Sequence, residues 1–507
     1  MLILLPIAVI AASIYYIAEY WKRESIKRKY DCQPVKQAPL VTWYDIFGIK
    51  ALVDNSNLTK SGYFYQDIQR KLDNLDTTTM KTTALGKNQI ITIEPENFRT
   101  MCSSADLNNW TIGTRPIALK PLLGNGIFSS EGESWKHSRI MLRPIFAKEH
   151  IKQITAMESY IQLLIKVIKL QQQGEGEFDL QHLFHCFTID YATDFLFGES
   201  CDCLKLILGE TSISTMSEEE KSKFAPNFDV MQYHMTKRLV FGYFSFLVNP
   251  PEFKNAVKHL HEFVFHFVDR AINFTDEELN DPSKNYVFLY QLAKQTKDRK
   301  VILDELLSVL LAGRNTTASL LSFMFFELAQ NKPVWNKLKK EITEHFPDVE
   351  SITFETIHNC EYLRWCIHES LRINPPVPIN TRTANRDTVL PKGGGKGNNY
   401  PIFVRKGEQV IFPLFSSNRQ ERFFGPEPEK YIPERWANLP RNGGVAFGPF
   451  GTGPRLCLGQ QLALVEASYV TIRLLQTFSQ LDSNHTECRR LVGATMRLMD
   501  GCQVTLK

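Results

Sequence analysis

Apolar residues recur at three- and four-residue spacings through the middle of the chain, which is the pattern of amphipathic helices. This spacing predicts a series of consecutive helices over 146–331. It is clearest at 151–173, 180–197 and 253–274. A further apolar stretch, 301–331, contains no proline and is long enough for about 45 Å of helix. This part of the chain is predicted to be a helical body.

Strand-like patches are short, and they lie at 90–93, 401–404, 409–413 and 502–506. The glycine run at 393–399 predicts a loop, and it lacks the helix start that would aim backbone amides at a phosphate. The fold class expected is therefore mainly α, an α+β body dominated by helices with minor β-sheets.

The N-terminus opens with an apolar stretch at 2–18, whose 17 residues reach about 25 Å as a helix, near the lower limit for crossing a membrane. Tyr20 and Trp21 suit an interfacial aromatic belt, and 22–29 carries five basic residues against one acid. This bias predicts a single transmembrane signal-anchor over 1–21 with the bulk of the chain in the cytosol. A cleaved signal peptide is the competing interpretation, but its basic segment lies on the wrong side.

Residues 22–42 are basic, contain two prolines and are expected to form a hinge, which leaves 43–507 as the folded domain. The net charge of +4 is too small and too scattered for a nucleic-acid partner. The ten cysteines show no ladder of paired spacings, which fits a reduced, cytosol-facing body. Cys201 and Cys203 have no further His or Cys at zinc spacing, so no zinc site is expected there.

The strongest chemical signal is the sequence Phe-Gly-Thr-Gly-Pro-Arg-Leu-Cys-Leu-Gly over 450–459. A cysteine between glycines, two residues after Arg455, suits a thiolate aimed at a metal because the glycines let backbone amides approach the sulfur. A helix predicted over 460–475 also places Cys457 near a helix N-terminus, where a thiolate is favoured. For Cys457 alone, a buried structural cysteine in a glycine-rich turn is the alternative.

Further patterns accompany this cysteine. Glu369 and Arg372 stand at i, i+3 on one predicted helix face, and the Pro-Glu-Arg-Trp segment 433–436 can supply another charged partner. Trp135 and Arg139 lie one helical turn apart.

The middle of the apolar helix 301–331 carries Ala-Gly-Arg-Asn-Thr-Thr at 312–317. Gly, Asn and Thr are poor helix formers. A locally unfavourable sequence inside a strongly apolar helix is where function is expected.

In this order and spacing, the motifs resemble the cytochrome P450 family over essentially everything after the hinge, which makes 43–507 its catalytic domain. The resemblance implies the cytochrome P450 fold, a monooxygenase, and heme b with Cys457 as the axial thiolate on its iron. It implies catalytic roles for Thr316, which would hydrogen-bond dioxygen and its waters, and for the adjacent Asn315. Glu369, Arg372 and Arg435 would form a structural ion network. The residues expected to hold the heme propionates are Trp135, Arg139, Arg382 and Arg455.

Several stretches resemble more narrowly the fungal branch that hydroxylates n-alkanes and fatty acids, namely 123–128, 135–144, 194–199 and 376–382. The function expected is terminal hydroxylation of a long-chain alkane or fatty acid at the endoplasmic reticulum membrane, with the catalytic domain facing the cytosol. The expected partners are NADPH-cytochrome P450 reductase, O2, a lipophilic substrate and membrane lipid. Tailoring of a polyketide- or terpenoid-like fungal secondary metabolite stays open as an alternative, as does a non-catalytic heme- or ligand-binding protein.

The chain departs from the family pattern at Asn315, where relatives usually carry Asp or Glu, and at Asn418-Arg419, where His-Arg is common. An amide can orient water but cannot relay a proton by ionising, so slower or water-rerouted proton delivery is the hypothesis. By resemblance, the substrate pocket is expected to draw on 110–128, 307–311, 377–381 and 494–498.

Overall fold

The computed structural model describes residues 4–38, 48–84, 86–146, 154–174, 176–211, 214–279 and 287–507. Its contacts divide the chain into two compact units. The first comprises Met1–Gly113, Ile379–Ser417 and Gly451–Leu456, and the second comprises Thr114–Pro378, Asn418–Phe450 and Cys457–Lys507.

Helices dominate the described residues. In chain order they are α1 Leu4–Lys29, α2 Ile49–Ser61, α3 Phe64–Asn74, α4 Pro95–Cys102, α5 Arg115–Leu123, α6 Gly132–Leu142, α7 Glu158–Gln171, α8 Leu180–Phe197, α9 Cys203–Leu208, α10 Glu218–Phe241, α11 Pro251–Ile272, α12 Asp276–Leu279, α13 Phe288–Gln295, α14 Arg299–Gln330, α15 Lys332–His345, α16 Phe354–Asn359, α17 Glu361–Ile373, α18 Leu414–Ser417, α19 Glu421–Phe424 and α20 Gln460–Thr477. Short 3-10 turns lie at Leu107–Asn109, Arg143–Phe146, Ile154–Met157, Gly242–Leu247, Lys396–Asn398, Pro433–Ala437 and Gly453–Arg455.

The strands are short. They are β1 Lys36–Gln37, β2 Thr79–Ala84, β3 Lys87–Thr92, β4 Trp110–Thr111, β5 Phe178–Asp179, β6 Ile379–Ala384, β7 Thr388–Gly394, β8 Tyr400–Val404, β9 Gln409–Pro413, β10 Leu481–Asp482, β11 Arg490–Leu491, β12 Arg497–Leu498 and β13 Gln503–Leu506.

The sequence periods locate the long helices well. Helices α8, α11 and α14 begin and end within two residues of the predicted 180–197, 253–274 and 301–331. Of the predicted helix 151–173, residues 151–153 lie outside the described residues, and the remainder is a 3-10 turn followed by α7. The mainly α fold with minor sheets is confirmed.

The first unit is built on a mixed sheet of strand order β1-β2-β3-β9-β6-β4, with β7 and β8 pairing as a separate antiparallel hairpin. The chain returns to this sheet late, because β3 pairs in parallel with β9 through the register Ile90–Val410. Helix α4 covers part of it, and Phe98 stacks on Phe412 with ring centroids 4.4 Å apart. The apolar positions of β3 and β9 therefore form the core of this unit.

The glycine run at 393–399 is the predicted loop only from Gly395 onward. Gly393 and Gly394 end strand β7, and the 3-10 turn Lys396–Asn398 leads into β8. Gly393 has a φ of +107°, and a Cβ there would lie 2.3 Å from the Thr79 Oγ1. The residue is glycine because the backbone passes this close to a neighbouring side chain.

Helix α1 contacts the β7–β8 hairpin of the same unit through its C-terminal half. Arg23 Nε donates to Asp387 Oδ2 at 3.0 Å, and the Lys27 ammonium lies 5.5 Å from the Phe403 ring centroid. The helix continues past the predicted anchor boundary at residue 21 and ends at Lys29. By length and composition, one helix of the described residues suits a membrane span, and it is α14, mostly buried in the fold. The anchor over 1–21 stays a prediction.

The second unit is organised around α14, a helix of 32 residues with few accessible side chains. The Asp298 side chain caps its start by accepting from the amides of Lys300 and Val301 at 2.8 and 3.1 Å. Helix α8 packs along it, with Phe184 edge-on to Phe325 at 5.3 Å between centroids. The long helix therefore runs through the core and carries residues 312–317 into it.

Candidate functional site

The Cys457 thiol lies at the turn before α20, within the second unit. Its amide donates to the Phe450 carbonyl at 3.0 Å, which fixes the backbone, and the Gly459 amide donates to the sulfur. Surrounding protein raises the pKa of the thiol by desolvation, while the Gly459 amide and the Arg139 charge lower it. The side chain nevertheless has accessible surface. A cysteine that is largely enclosed by protein and yet keeps accessible surface can still bind a group at its sulfur.

Arg139 and Trp135 occupy adjacent turns of α6, as the sequence predicts. Trp135 is buried, and the Arg139 guanidinium lies 5.9 Å from the indole ring centroid. Burial lowers the pKa of Arg139, the neighbouring Arg143 lowers it further, and Cys457 raises it. The structure thus brings Arg139 into the electrostatic field of Cys457.

The segment 451–456 belongs to the first unit, where Gly453 packs on α4. With a φ of +69°, a Cβ on Gly453 would fall 1.8 Å from the Cys102 carbonyl oxygen, so no larger residue fits. In the same unit Arg382, on β6, is buried, and its Nη2 donates to the Cys102 sulfur at 3.5 Å. Arg455 ends the 3-10 turn that starts at Gly453.

The predicted charge network is complete within the second unit. The fully buried Glu369 accepts from Arg372 Nε and Nη2 at 2.9 and 2.8 Å and from Arg435 Nε at 2.9 Å. It also accepts from the Trp436 indole and the Ile432 amide, each at 2.9 Å. Both oxygens of the carboxylate are therefore bonded.

Asn418 has a role that the sequence did not indicate. Its side-chain Nδ2 donates to the Arg372 backbone carbonyl at 3.0 Å, and its backbone carbonyl accepts from Arg372 Nη1 at 3.0 Å. The residue that departs from the family's His-Arg pattern therefore braces the arginine of the charge network.

The middle of α14 stays helical through 312–317. Thr316 Oγ1 donates to the Ala312 carbonyl at 2.7 Å, which keeps the threonine hydroxyl bonded to its own helix. Arg314 Nη1 donates to Asp229 on α10 at 2.7 Å, and Thr317 Oγ1 donates to Glu466 on α20 at 3.2 Å. The hydroxyl groups of both threonines are therefore hydrogen-bonded.

One face of α14 keeps accessible surface. It consists of Val309, Ala312, Gly313 and Thr316, spaced as one helical face; Leu311 is also partly accessible, while Leu310, Arg314, Asn315 and Thr317 are buried. A Cβ added to Gly313 would meet nothing within 4 Å among the described residues. Helix α14 therefore leaves room beside Thr316, as a bound cofactor and substrate require.

Asn315, next to this face, is fully buried, and neither its amide nitrogen nor its amide oxygen has a hydrogen-bond partner among the described residues. Orphaned buried polar atoms are rare in native proteins, and each asks for an explanation. An ordered water is the simplest partner for both atoms.

Sequence reasoning missed the acidic pair at the start of α14. Asp304 Oδ2 accepts from the Asn125 amide at 2.9 Å, and Glu305 Oε2 accepts from the Ile127 amide at 3.1 Å. Burial raises the pKa of Glu305 to about 7, and its bond to Ser138 lowers it. Two consecutive acids in an apolar helix were the signal that could have revealed this clamp on residues 123–128.

The architecture matches that of a protein of known structure. The crystal structure of the cytochrome P450DA heme domain superposes with a TM-score of 0.75 over 94% of this chain and 97% of that one, at 17% identity, and this likeness shows the fold. The fold is that of a cytochrome P450 heme domain.

The cytochrome P450 family model matches residues 103–496. Cytochrome P450 52C2 of Candida maltosa is 61% identical over 99% of both chains, and cytochrome P450 52C1 of Candida tropicalis is 52% identical over 97% of both. A further relative, cytochrome P450 52A13 of Debaryomyces hansenii, is 40% identical over 97% of this chain and 95% of its own. The chain belongs to the cytochrome P450 family.

The family and the resemblance to its fungal branch are therefore confirmed, as is a monooxygenase of the oxidoreductase class. Family and fold together imply heme b with a cysteine thiolate as axial ligand, dioxygen, a lipophilic substrate and a redox partner that supplies electrons. The enclosed, accessible thiol of Cys457 and the open face of α14 fit such a group. The individual site residues stay predictions.

Proposed function

We propose that Cys457 is the cysteine that holds heme, and that the enzyme hydroxylates the terminal position of a long-chain alkane or fatty acid. The observation that carries the proposal is that Cys457 keeps accessible surface and that its sulfur accepts a hydrogen bond from the Gly459 amide. When bound, heme supplies the activation of dioxygen that inserts one oxygen atom into a C–H bond.

The residues of the second unit have distinct tasks around this group. The Gly459 amide and the Arg139 charge favour the thiolate form of Cys457, and the Trp135 indole fixes the position of Arg139. Thr316 offers a hydroxyl at the open face of α14, where it can hold dioxygen or its waters by a hydrogen bond. Asn315 orients a water there but does not deliver the proton by ionising.

Propionate binding by Trp135, Arg139, Arg382 and Arg455 rests on the family resemblance. The buried Arg382 of the first unit donates to the Thr381 carbonyl at 2.8 Å and to the Cys102 sulfur at 3.5 Å, and Arg139 of the second unit lies in the electrostatic field of Cys457. These placements support an anion-binding role for each arginine in its own unit. Arg382→Gln and Arg139→Gln are expected to lower the heme content of the purified protein, measured by pyridine hemochrome per protein.

The substrate class is supported by the relatives of the P450 52 series and by apolar side chains on the open face of α14. A hydrocarbon chain suits such an apolar surface because it has no polar groups that need hydrogen-bond partners. Tailoring of a polyketide- or terpenoid-like secondary metabolite is the second substrate class that the sequence leaves open.

We further propose that residues 1–21 anchor the enzyme in the endoplasmic reticulum membrane, that 22–42 form a hinge, and that 43–507 form the catalytic domain facing the cytosol. Exposed apolar side chains on α1, among them Ile10, Ile14 and Ile17, support the anchor. NADPH-cytochrome P450 reductase in the same membrane is the proposed electron donor. A variant lacking 1–21 is expected to leave the membrane fraction in a carbonate wash.

The deciding experiment is product analysis in vesicles with NADPH-cytochrome P450 reductase, using alkanes and fatty acids of graded chain length. We expect terminal hydroxylation that depends on chain length, preceded by a low-spin to high-spin shift on substrate addition. Product only from the bulkier scaffolds would establish the secondary-metabolite class instead, and no product with any compound would favour a non-catalytic ligand-binding protein.

Cys457→Ser supplies the test of the ligand, with Cys488→Ser as the matched control because Cys488 is partly exposed in the same unit. We expect Cys457→Ser to lose the ferrous–CO absorption typical of thiolate ligation and Cys488→Ser to keep it. Retention by Cys457→Ser would show that another residue is the ligand.

A further inference from the structure

Two thiols outside the proposed heme site belong to neighbouring helices, α8 and α9, in the second unit. Cys186 sits in the first half of α8, and Cys203 is the first residue of α9. Both are free cysteines and mostly buried, with 8% exposure each; Cys203 lowers the pKa of Cys186, and Cys186 raises the pKa of Cys203. Asp190, one turn after Cys186 on α8, accepts from the Cys203 amide at 2.7 Å, which brings the start of α9 to this part of α8.

The two thiols have different environments. His182, one turn before Cys186 on α8, places its Nε2 3.7 Å from the Cys186 sulfur and is itself exposed to solvent. Hydrogen bonds from Cys203 and then His182 lower the pKa of Cys186, although burial opposes them. The shared bond and burial raise the pKa of Cys203. These shifts favour the thiolate form at Cys186 and the thiol form at Cys203.

The backbone holds Cys203 in place beside Cys186. The Asp190 carboxylate on α8 accepts from the amides of Cys203 and Leu204 at 2.7 and 2.8 Å, and Thr193 Oγ1 accepts from the Cys201 amide at 3.0 Å. These bonds tie the start of α9 to α8. The start of α9, which carries Cys203, is therefore held by hydrogen bonds to α8, which carries Cys186.

We propose that Cys186 and Cys203 form an oxidisable dithiol, with Cys186 as the attacking sulfur and Cys203 as the resolving one. The Cys186 thiolate attacks hydrogen peroxide, the O–O bond breaks, and hydroxide leaves to give a sulfenic acid. The Cys203 thiol then displaces the sulfenic oxygen as water and forms the S–S bond. In total, two thiols lose two electrons and two protons, and one peroxide becomes two waters.

The oxidant is a by-product of oxygenase turnover in which reduced dioxygen is released without substrate oxidation. Cys186 also lies in the field of Arg314 on α14, the residue before Asn315. Formation of the disulfide removes the thiolate charge that faces Arg314. When turnover is uncoupled, oxidation of the pair should therefore change the electrostatic environment of α14, the helix that carries Thr316.

The third thiol of this region is a built-in control. Cys201 has no exposed surface, and burial raises the pKa of its thiol above the usual range. Cys201 is thus expected to be neither the attacking nor the resolving sulfur, although it stands two residues from Cys203.

The test exposes the full-length heme-loaded enzyme to a small excess of hydrogen peroxide, or to diamide as a thiol-specific oxidant, before alkylation and peptide mass spectrometry. We expect a Cys186–Cys203 linked peptide with both oxidants, lost on treatment with dithiothreitol, while Cys201 is alkylated after denaturation. Equal alkylation of all three thiols, or a link that joins Cys186 to Cys201, would overturn the proposal.

Three single variants test the roles of the three thiols separately, in addition to the experiment on the wild-type enzyme. Cys203→Ser is expected to stop at a Cys186 sulfenic acid that dimedone captures, Cys186→Ser to leave Cys203 unmodified, and Cys201→Ser to form the disulfide as wild type does. Dimedone capture at Cys203 in Cys186→Ser would show that the assigned roles are wrong. The ferrous–CO spectrum of each variant identifies any that has failed to fold.

Discussion

Glu369→Ala is the most direct test of the buried charge network. The Glu369 carboxylate has no exposed surface and accepts from Arg372, Arg435, Trp436 and the Ile432 amide at distances of 2.8 to 2.9 Å. Alanine removes all of these acceptors at once. The two guanidinium groups then keep their charge inside the protein without a counter-ion.

The expected loss of stability depends on the hydrogen bonds that Arg372 keeps in the Glu369→Ala variant. Arg372 still donates to the backbone carbonyls of Asn418, Pro428 and Lys430 at 3.0, 2.6 and 3.1 Å, so some of its hydrogens stay bonded. Its charge, however, is uncompensated. Breaking a buried ion pair in this way costs about 3–5 kcal/mol, and we expect Glu369→Ala to lower the free energy of unfolding by that amount.

The measurement is urea unfolding followed by tryptophan fluorescence, with Glu434→Ala as the control. Glu434 also belongs to the Pro-Glu-Arg-Trp segment, but its side chain is 46% exposed where it pairs with Lys337 at 2.8 Å. Such an exposed pair contributes about 0–1 kcal/mol. If Glu369→Ala costs no more than Glu434→Ala, the network is not a structural element and burial does not set its strength.

Three other predictions concern the site and its surroundings. Asn315→Asp is expected to lower the peroxide released per NADPH oxidised, because it restores an ionisable group beside Thr316, and unchanged coupling to product would refute the hypothesis about proton delivery. Gly453→Ala is expected to destabilise the protein by more than Gly407→Ala in urea unfolding. Both positions have a positive φ, +69° and +85°, but only at Gly453 would a Cβ collide, 1.8 Å from the Cys102 carbonyl oxygen, so equal losses would contradict the collision. Burial raises the pKa of Glu466 from 4.5 to about 8, so the folded chain keeps a proton that the unfolded chain has released. The free energy of unfolding should therefore fall as pH rises between these values, and Glu466→Gln should flatten that slope in urea titrations at stepped pH.

Helices were the easiest part of the fold to predict from the sequence. Their apolar period is local information, and α8, α11 and α14 lie where the period places them. Strands β2 and β6 were missed because both are rich in polar and threonine residues, Thr-Met-Lys-Thr-Thr-Ala and Ile-Asn-Thr-Arg-Thr-Ala. Their strand conformation depends on pairing with β3 and β9, which is decided by tertiary context.

The candidate site also has a part that local sequence spacing indicates and a part that depends on tertiary contacts. The Glu369–Arg372 pair is visible in the sequence because i, i+3 residues share a helix face. The Ile432 amide, the Trp436 indole and the Asn418 brace complete the network only because the chain folds back more than forty residues later, as the separation of Arg372 and Asn418 shows. Contacts of that range leave no periodic signal in one sequence.

Asn315 connects the polar chemistry of α14 to its proposed reaction. A buried amide left without partners costs about 1–3 kcal/mol, and Asn315 leaves both of its polar atoms unbonded among the described residues. The next two residues of the helix, Thr316 and Thr317, both find acceptors. The cost is recovered if an ordered water bridges the amide. A water held by an amide is oriented without being protonated by it, so the proton must come from a group other than residue 315. Restoring the acid at this position should therefore lower the yield of peroxide.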